Sequence, residues 1–371
     1  MKILVLNWQD IKNPLGGGAE VHFHEIFKRI AAKGHSVTLY CSGFPGAPNR
    51  EEIDGIKVIR EGGRYLFNFH VPGRYFSEFR QEHFDVIVDD INKIPFFSPW
   101  FVKEPLVGIV HHLFGPAIFL EAPLIPAMYV SLSEKLAVRV YRNTPMAVVS
   151  ESTRQELIGF GFPPSNIVLV QNAVNSVQYS LPAQDITPAP VIGHLGRLKK
   201  YKSVDHLIHA FSIVKLEIPD AKLKIIGDGD HRPALQRLAG ELGLEKDVEF
   251  TGYLSQAEKV RHLHQLSVSV NCSAKEGWGL TVIEANSCGV PVVASDVPGL
   301  RDSVIDERTG LLFEFGNIEQ MAQKILLMLR DENLRSRLRK EAIEWARTFN
   351  WDDSAAKMTL FLEGVIAQKK K

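Results

Sequence analysis

Short apolar runs alternate along this chain with stretches whose apolar positions recur every three or four residues. The first kind reads as buried strand and the second as helix packed on one face. Strands are expected at Lys2–Trp8, Ser36–Cys41, Ile56–Ile59, Phe84–Asp89, Leu106–Val110, Met146–Ser150 and Ile167–Val170. A helix runs through Val21, Ile26, Ile30 and Ala31 and closes at Gly34. Strand and helix in alternation mean a parallel sheet covered by helices, with ligands at the carboxyl ends of the strands.

Val177–Pro190 has the composition of a linker, rich in Ser, Gln, Asp and Thr and carrying Pro182, Pro188 and Pro190. The alternation then restarts. Strands are expected at Val191–Leu195, Lys222–Ile226, Val248–Phe250 and Val268–Asn271, with helices at Val204–Val214, Pro233–Leu242 and Ala257–His264. A helix from Gly279 or Leu280 leads to a strand ending at Ser295. Helical runs follow at Ile318–Arg330 and Glu332–Thr348, then an amphipathic run from Asp352 to Gln368 and a disordered tail at Lys369–Lys371. The pattern therefore divides into residues 1–180, residues 190–348, and a final helix in 349–371 returning to the first half. A cleft between two such halves is the default place for a ligand.

Composition narrows the class. The 371 residues exceed what one ordinary core organises. Basic and acidic residues balance at 43 each, so no electrostatic footprint for nucleic acid is present. No stretch approaches the roughly 20 apolar residues of a membrane span. The first apolar run is too short for a signal peptide. Cys41, Cys272 and Cys288 are widely spaced and form neither a disulfide framework nor a metal pattern, so buried thiols in a reducing cytoplasm are expected.

Candidate chemistry lies in the loops after strands. Gly16-Gly17-Gly18-Ala19-Glu20 joins the first strand to the first helix. It lacks both the dinucleotide fingerprint and the P-loop lysine, and reads either as a phosphate or substrate cradle or as a tight turn. His111 and His112 follow the strand ending at Val110. Adjacent histidines share no face, which argues against a metal pair. Arg197 and Lys202 lie after the restart strand, where two cations beside a helix start can neutralise a diphosphate or can belong to a solvated basic loop. Glu276-Gly277-Trp278-Gly279-Leu280-Thr281 is an acidic loop, a bend and a helix start, with Glu284 one turn inside. The free N–H groups of that turn suit an anion. Spacing alone is weak, since Glu241 and Glu249 repeat it. Two further segments carry unusual apolar content. Arg64–Phe76 interleaves aromatic with basic residues, and Leu113–Leu136 is broken by Pro116, Pro123 and Pro126 and carries Glu121 and Glu134. Packing on the core is the plainer reading for each, and contact with an acceptor lipid or a membrane surface is the other.

Taken in order, these motifs resemble a retaining glycosyltransferase of family four with the GT-B fold. The resemblance also draws on Asn172-Ala173-Val174-Asn175, Gly227-Asp228-Gly229 and Cys288-Gly-Val-Pro-Val-Val-Ala, and it spans nearly the whole chain. It implies two Rossmann-like domains with parallel sheets facing across a cleft. It implies a nucleotide-diphosphate sugar as donor, and a sugar, lipid-linked or small-molecule hydroxyl acceptor in cell-envelope polysaccharide or glycolipid synthesis. No cofactor is expected, and no dedicated Asp/Glu metal pattern is visible, so Arg197 and Lys202 are expected to take the place of a metal. Arg197 and Lys202 would hold the diphosphate. Glu284 would bind the ribose and Glu276 the donor sugar. The amides of Leu280 and Thr281, beside Gly279, would meet the pyrophosphate. His111 would touch the sugar near the reacting carbon. Gly17 and Gly18 would face sugar and acceptor, and Asn172 and Gly227 would line the site. The family's usual Asn-Gly-Val-Asp departs here to Asn172-Ala-Val-Asn175, and His112 stands where Asp is common. No nucleophilic carboxylate stands out, so same-face attack is the expected route, with the halves closing to exclude water. The expected location is the cytoplasm, with peripheral contact at the inner face of the membrane. A sugar-nucleotide epimerase or phosphorylase on this architecture, or a non-catalytic nucleotide-sugar-binding protein, are the alternatives.

Overall fold

The structure, a computed structural model, describes residues 1–63, 65–92, 94–182 and 190–369. Arg64, at the head of the aromatic and basic segment, Pro188 of the linker, and Lys370 and Lys371 lie outside them. The chain divides into two compact units, one of residues 1–173 and 351–371, the other of residues 174–350.

In the first unit the chain runs β1 (Lys2–Leu6), α1 (Gly18–Ala32), β2 (Ser36–Ser42), β3 (Arg50–Ile53), β4 (Ile56–Glu61), α2 (Phe67–Ser77), β5 (Val86–Ile91) and β6 (Leu106–Val110). It continues through α3 (Ile118–Glu121), α4 (Leu124–Val140), β7 (Met146–Val148), α5 (Glu151–Gly159) and β8 (Ile167–Leu169). The sheet order is β3-β4-β2-β1-β5-β6-β7-β8. All pairs are parallel except β3 with β4. Leu4, Leu6, Tyr40, Phe67, Val71, Tyr75, Phe79 and Ile87 form the core under one face. From β1 the chain builds the sheet outward first on one side, through β2 and β4, and then on the other, from β5 on, and such a switch point between β1 and β5 opens a crevice at the carboxyl ends of the two strands. Asn7 follows β1, Asp90 lies near the end of β5, and His111 follows β6.

The second unit runs β9 (Val191–Leu195), α6 (Val204–Glu217), β10 (Lys222–Ile226), α7 (Arg232–Glu241), β11 (Val248–Gly252), α8 (Gln256–Leu263) and β12 (Val268–Asn271). It ends with α9 (Leu280–Ser287), β13 (Val292–Ser295), α10 (Leu300–Ser303), β14 (Gly310–Phe313), α11 (Ile318–Arg330) and α12 (Glu332–Arg347). Its sheet is wholly parallel in the order β11-β10-β9-β12-β13-β14. Leu207, Ile208, Phe211, Leu223, Ile225, Val268, Val293 and Ile325 belong to one continuous core. The switch point falls between β9 and β12, and the two loops singled out in the sequence follow those two strands.

The last helix, α13 (Trp351–Lys369), belongs to the first unit. Trp351 meets His22 of α1 edge-on at 6.1 Å, and Ser354 Oγ donates to the Gln171 carbonyl at 2.8 Å. Lys369, expected in the tail, is the last helical residue among those described and donates to the Glu104 carbonyl at 2.6 Å. Two strands were not expected. β3 is a short edge strand whose side chains are exposed or half-buried, so it lacks an apolar signal. β14 is only Gly-Leu-Leu-Phe, too short to separate from a loop. The segment 174–180 belongs to the second unit because Tyr179 is buried there. Cys41, Cys272 and Cys288 are free and buried, as expected.

Candidate functional site

In the second unit the loops after β9 and β10 are stitched together. The Leu198 amide donates to the Asp228 carbonyl at 2.9 Å, and the His231 amide donates to the Leu198 carbonyl at 3.0 Å. They lie so close that a Cβ on Gly227 would come within 2.0 Å of the Gly196 carbonyl oxygen. Gly227 also takes φ +136°, so only glycine fits. This tight seam fixes the backbone that carries Arg197.

Lys202, at the end of that loop, is ion-paired with Glu276 from the loop after β12. Ser273 Oγ donates to the same Glu276 oxygen at 2.8 Å. Asn271 Nδ2 lies 3.3 Å from Thr281 Oγ1 and 3.5 Å from Glu276 Oε1, so it ties the loop to the first turn of α9. Burial alone would raise the Glu276 carboxyl, but the Lys202 charge and the converging hydrogen bonds hold it below the usual range. Burial pulls the Lys202 ammonium down, and the Glu276 charge outweighs that and lifts it. Arg197 is exposed on the same loop, and its charge reaches Lys202. The sequence reading treated Lys202 and Glu276 as separate contacts. The structure joins them as one half-buried ion pair of zero net charge.

The bend before α9 is set by Gly279, in the left-handed region at φ +79°. A Cβ there would lie 2.6 Å from Ser303 Oγ. Leu280 is the first helical residue, so the amides of Leu280 and Thr281 have no intrahelical acceptor and face past the helix end. Trp278 is buried and packs edge-on against Phe349 at 4.7 Å, which anchors the bend from behind. Asn271 therefore ties the Lys202–Glu276 pair to a helix start with two open amides, the arrangement that favours an anion.

Glu284 lies one turn further and is buried. Its Oε1 accepts from the Tyr179 hydroxyl at 2.6 Å and from Lys259 Nζ at 3.0 Å. Neither partner stood out in the sequence, and no spacing rule links residues 105 and 25 positions away. His194, on β9, is a second addition. Its Nδ1 lies 3.1 Å from the Val270 carbonyl, while Nε2 is buried with no partner among the described residues. Burial first, and then the Lys202 charge, lower its pKa to about 4.

The first unit gathers a different set. Glu20, buried in the first turn of α1, accepts from the Gly17 amide at 2.6 Å and closes the glycine loop. Gly18 begins the helix, and a Cβ on it would meet nothing within 4 Å. His111 Nε2 lies 2.9 Å from Asp90 Oδ1, and Asn7 Nδ2 donates to Asp90 Oδ2 at 2.9 Å. Burial lowers the His111 pKa, but the Asp90 charge and hydrogen bond, with Glu20 behind them, bring it above the usual value. His22 stands edge-on to His111 at 5.1 Å, and burial followed by the His111 charge lowers its pKa to about 3. His112 instead packs beside Phe114 at 4.5 Å. Asn172 is buried, and its Oδ1 has no partner among the described residues. Asp90 was not singled out, although two aspartates inside the fully buried Val86–Ile91 are a visible signal. Among the described residues no group of three His, Cys, Asp or Glu could hold a metal ion.

Comparison with known proteins gives the class. A family profile described as Glycosyl transferases group 1 matches residues 183–345, and one described as Glycosyltransferase Family 4 matches residues 16–178. A sucrose-phosphate synthase from Thermosynechococcus elongatus superposes with a TM-score of 0.83 at 21% identity, covering 99% of this chain and 100% of that one. Anabaena Alr3699/HepE, solved with UDP and glucose, superposes with a TM-score of 0.78 at 20% identity, covering 98% and 100%. In sequence, an uncharacterized glycosyltransferase, MJ1607, of Methanocaldococcus jannaschii is 25% identical over 96% of both chains. D-inositol 3-phosphate glycosyltransferase of Corynebacterium glutamicum is 30% identical over 48% of this chain and 44% of that one. Two parallel-sheet α/β units with these neighbours define a GT-B glycosyltransferase. Within that class, the chain belongs to glycosyltransferase family 4.

Proposed function

We propose that the protein is a retaining hexosyltransferase that moves a sugar from a nucleotide-diphosphate donor to a hydroxyl acceptor without a metal ion. The observation that carries this is the Lys202–Glu276 pair beside the open amides of Leu280 and Thr281. As the donor C1–O bond breaks, negative charge grows on the diphosphate. Lys202, Arg197 and the start of α9 stabilise it without rearranging. Glu276 holds a hydroxyl of the sugar and keeps Lys202 charged and aimed. Glu284 takes the ribose, and His111 contacts the sugar near the reacting carbon. The acceptor oxygen attacks C1 from the face that the phosphate leaves, and its proton passes to the departing phosphate oxygen. UDP-sugars are the first donors to test, since a protein of this fold was solved with UDP and glucose.

We infer a lipid-linked acceptor, and with it peripheral contact with a membrane, from α4. Its buried face carries Ala127, Val130, Ser133 and Ala137, while Ile125, Met128, Tyr129, Leu132 and Leu136 are exposed. Tyr65, Leu66 and Phe69 at the start of α2 are also exposed, and Asn68 reaches the Tyr129 hydroxyl at 3.4 Å, which joins the two patches. Lys135 and Arg139 stand exposed at the far end of the stripe. Large apolar side chains outside and small ones inside invert the usual pattern of a surface helix. No helix among the described residues is long and apolar enough to cross a membrane.

The test of the main reading is incubation with a panel of UDP- and GDP-sugars and a lipid-linked or simple glycoside acceptor. Proton NMR then reads the anomeric configuration of the product. A glycoside with the donor's configuration, formed in the presence of chelator, is expected. An inverted product, an absolute need for divalent metal, or a covalently glycosylated side chain overturns the corresponding part.

A further inference from the structure

Glu284 is held in an asymmetric way that the ribose assignment does not require. Both visible hydrogen bonds land on Oε1, one from the Tyr179 hydroxyl at 2.6 Å and one from Lys259 Nζ at 3.0 Å. Oε2 accepts none from the described residues and is not sealed from solvent. A carboxylate oxygen carries two lone pairs, so two donors saturate Oε1. The three side chains come from separate elements. Tyr179 lies on the segment entering the unit, Lys259 on α8 and Glu284 on α9. The Lys259 ammonium also lies over the Tyr179 ring, 5.0 Å from its centroid, so each of the three touches the other two. Gln256 Oε1 lies 2.8 Å from the same hydroxyl; a phenol has one proton, so Tyr179 donates to Glu284 when the Gln256 amide is turned to offer its N–H to the phenol oxygen.

We propose that Tyr179 and Lys259 are positioning residues that turn Glu284 into a single-oxygen receptor for the ribose cis-diol. They occupy Oε1 and leave both lone pairs of Oε2 for the 2′- and 3′-hydroxyls of the donor nucleotide. This rests on the reading of Glu284 as the ribose carboxylate. The charge arrangement fits. A buried carboxylate without a cation beside it gives up its charge or destabilises the fold, and Lys259 supplies the cation. Burial, then the Glu284 charge, push the Tyr179 hydroxyl far above its ordinary pKa, so it stays a donor. The same causes push the neighbouring Cys288 thiol up to about 12, which leaves it inert in this pocket. A hydroxyl hydrogen bond to a charged acceptor is worth roughly 10- to 100-fold in affinity. A 2′-deoxy nucleotide should bind weaker by that factor, and only while Oε2 is held in place.

The experiment measures Kd by calorimetry for UDP and GDP, each against its 2′-deoxy form, and for inorganic pyrophosphate. Wild type is expected to prefer the ribose form by roughly 10- to 100-fold. Tyr179→Phe and Lys259→Met should each cut that preference severalfold and leave pyrophosphate affinity unchanged. Lys259→Arg should restore most of it. A general loss of structure would move pyrophosphate binding as well, so the ratio separates positioning from folding. If both Tyr179→Phe and Lys259→Met keep the wild-type ratio, the positioning role is overturned while the ribose reading stands. If Glu284→Gln keeps the ratio, or wild type shows no preference or binds no nucleoside diphosphate, the ribose reading falls and this proposal with it.

Discussion

The two sheets solve the same geometric problem in different chemical terms. Each opens a crevice at its switch point, between β1 and β5 in one unit and between β9 and β12 in the other. In the second unit the crevice is lined by a glycine seam, a cation–carboxylate pair and free helix amides. It suits an anion, because its donors are fixed by backbone packing before anything binds. In the first unit the same position holds Asn7, Asp90 and His111, hydrogen-bonded in a row, with the Glu20 charge acting on the imidazole. The difference teaches that strand order fixes where a ligand binds, and the loops fix what kind.

The largest test of that contrast breaks the ion pair. Lys202→Ala should lower transfer by about 10³-fold and weaken binding of the nucleoside diphosphate. It also leaves the half-buried Glu276 with Ser273 and Asn271 but no cation, which costs roughly 1–2 kcal/mol of stability. Lys202→Ala with Glu276→Ala should regain most of the stability in chemical denaturation and none of the activity. His111→Gln should behave oppositely in binding. Turnover should fall about 10²-fold, while calorimetry of the bare nucleoside diphosphate shows no change. Equal loss of that affinity in both variants would erase the distinction between the units.

Two glycines sharpen the same comparison. Gly227→Ala drives a Cβ to 2.0 Å from a backbone oxygen, so it should cost about 3 kcal/mol and lower donor affinity. Gly18→Ala meets no atom within 4 Å, so stability should be unchanged or slightly higher, while transfer drops. Thermal melts and kcat/KM of the two variants check this together.

The histidines give a pH signature. His111 is raised, so its contribution to stability is present below its unfolded value of about 6.5 and fades as pH rises through its folded value. His194 and His22 are lowered to about 4 and about 3. Each stays neutral in the folded state while the unfolded chain takes up a proton, so each lowers stability as pH falls from 6.5 towards those values. His194→Gln removes its share. Its stability relative to wild type should improve by about 3 kcal/mol between pH 7 and pH 4, read by urea denaturation. A constant gap across that range contradicts the burial of a neutral imidazole beside Lys202.

The smallest effect concerns the apolar stripe. Ile125→Ser with Leu132→Ser should leave the fold and the activity on a soluble acceptor intact, and reduce sedimentation with anionic vesicles severalfold. Equal sedimentation of variant and wild type removes the membrane proposal alone.

Much of this was legible in the sequence. β6, β9, β10 and β12 match the expected bounds residue for residue, because each is a short β-branched or Leu-rich run bounded by turn or polar residues. The start of α9 at Leu280 followed from Gly279 and the apolar spacing after it. The loops bearing Arg197, Lys202 and Glu276 were placed because they follow strands. What was hidden depends on contacts between distant positions. Lys202 and Glu276 are 74 residues apart, and Asp90 and His111 are 21 apart. Tyr179 lay in what reads as a polar linker, yet its ring is buried. β3 carries no apolar face, and the inverted exposure of α4 cannot be told from its periodicity, since large and small apolar residues share the same spacing.

The central claim is that the second unit is a preorganised diphosphate receptor built on Lys202, Arg197 and the start of α9. Calorimetric titration of UDP and GDP into wild type, Lys202→Met and Arg197→Met tests it most directly. The account predicts binding of at least one nucleotide by wild type and a loss of roughly tenfold or more in each variant, as expected for removing a charged hydrogen bond. Wild-type affinity in both variants would contradict it.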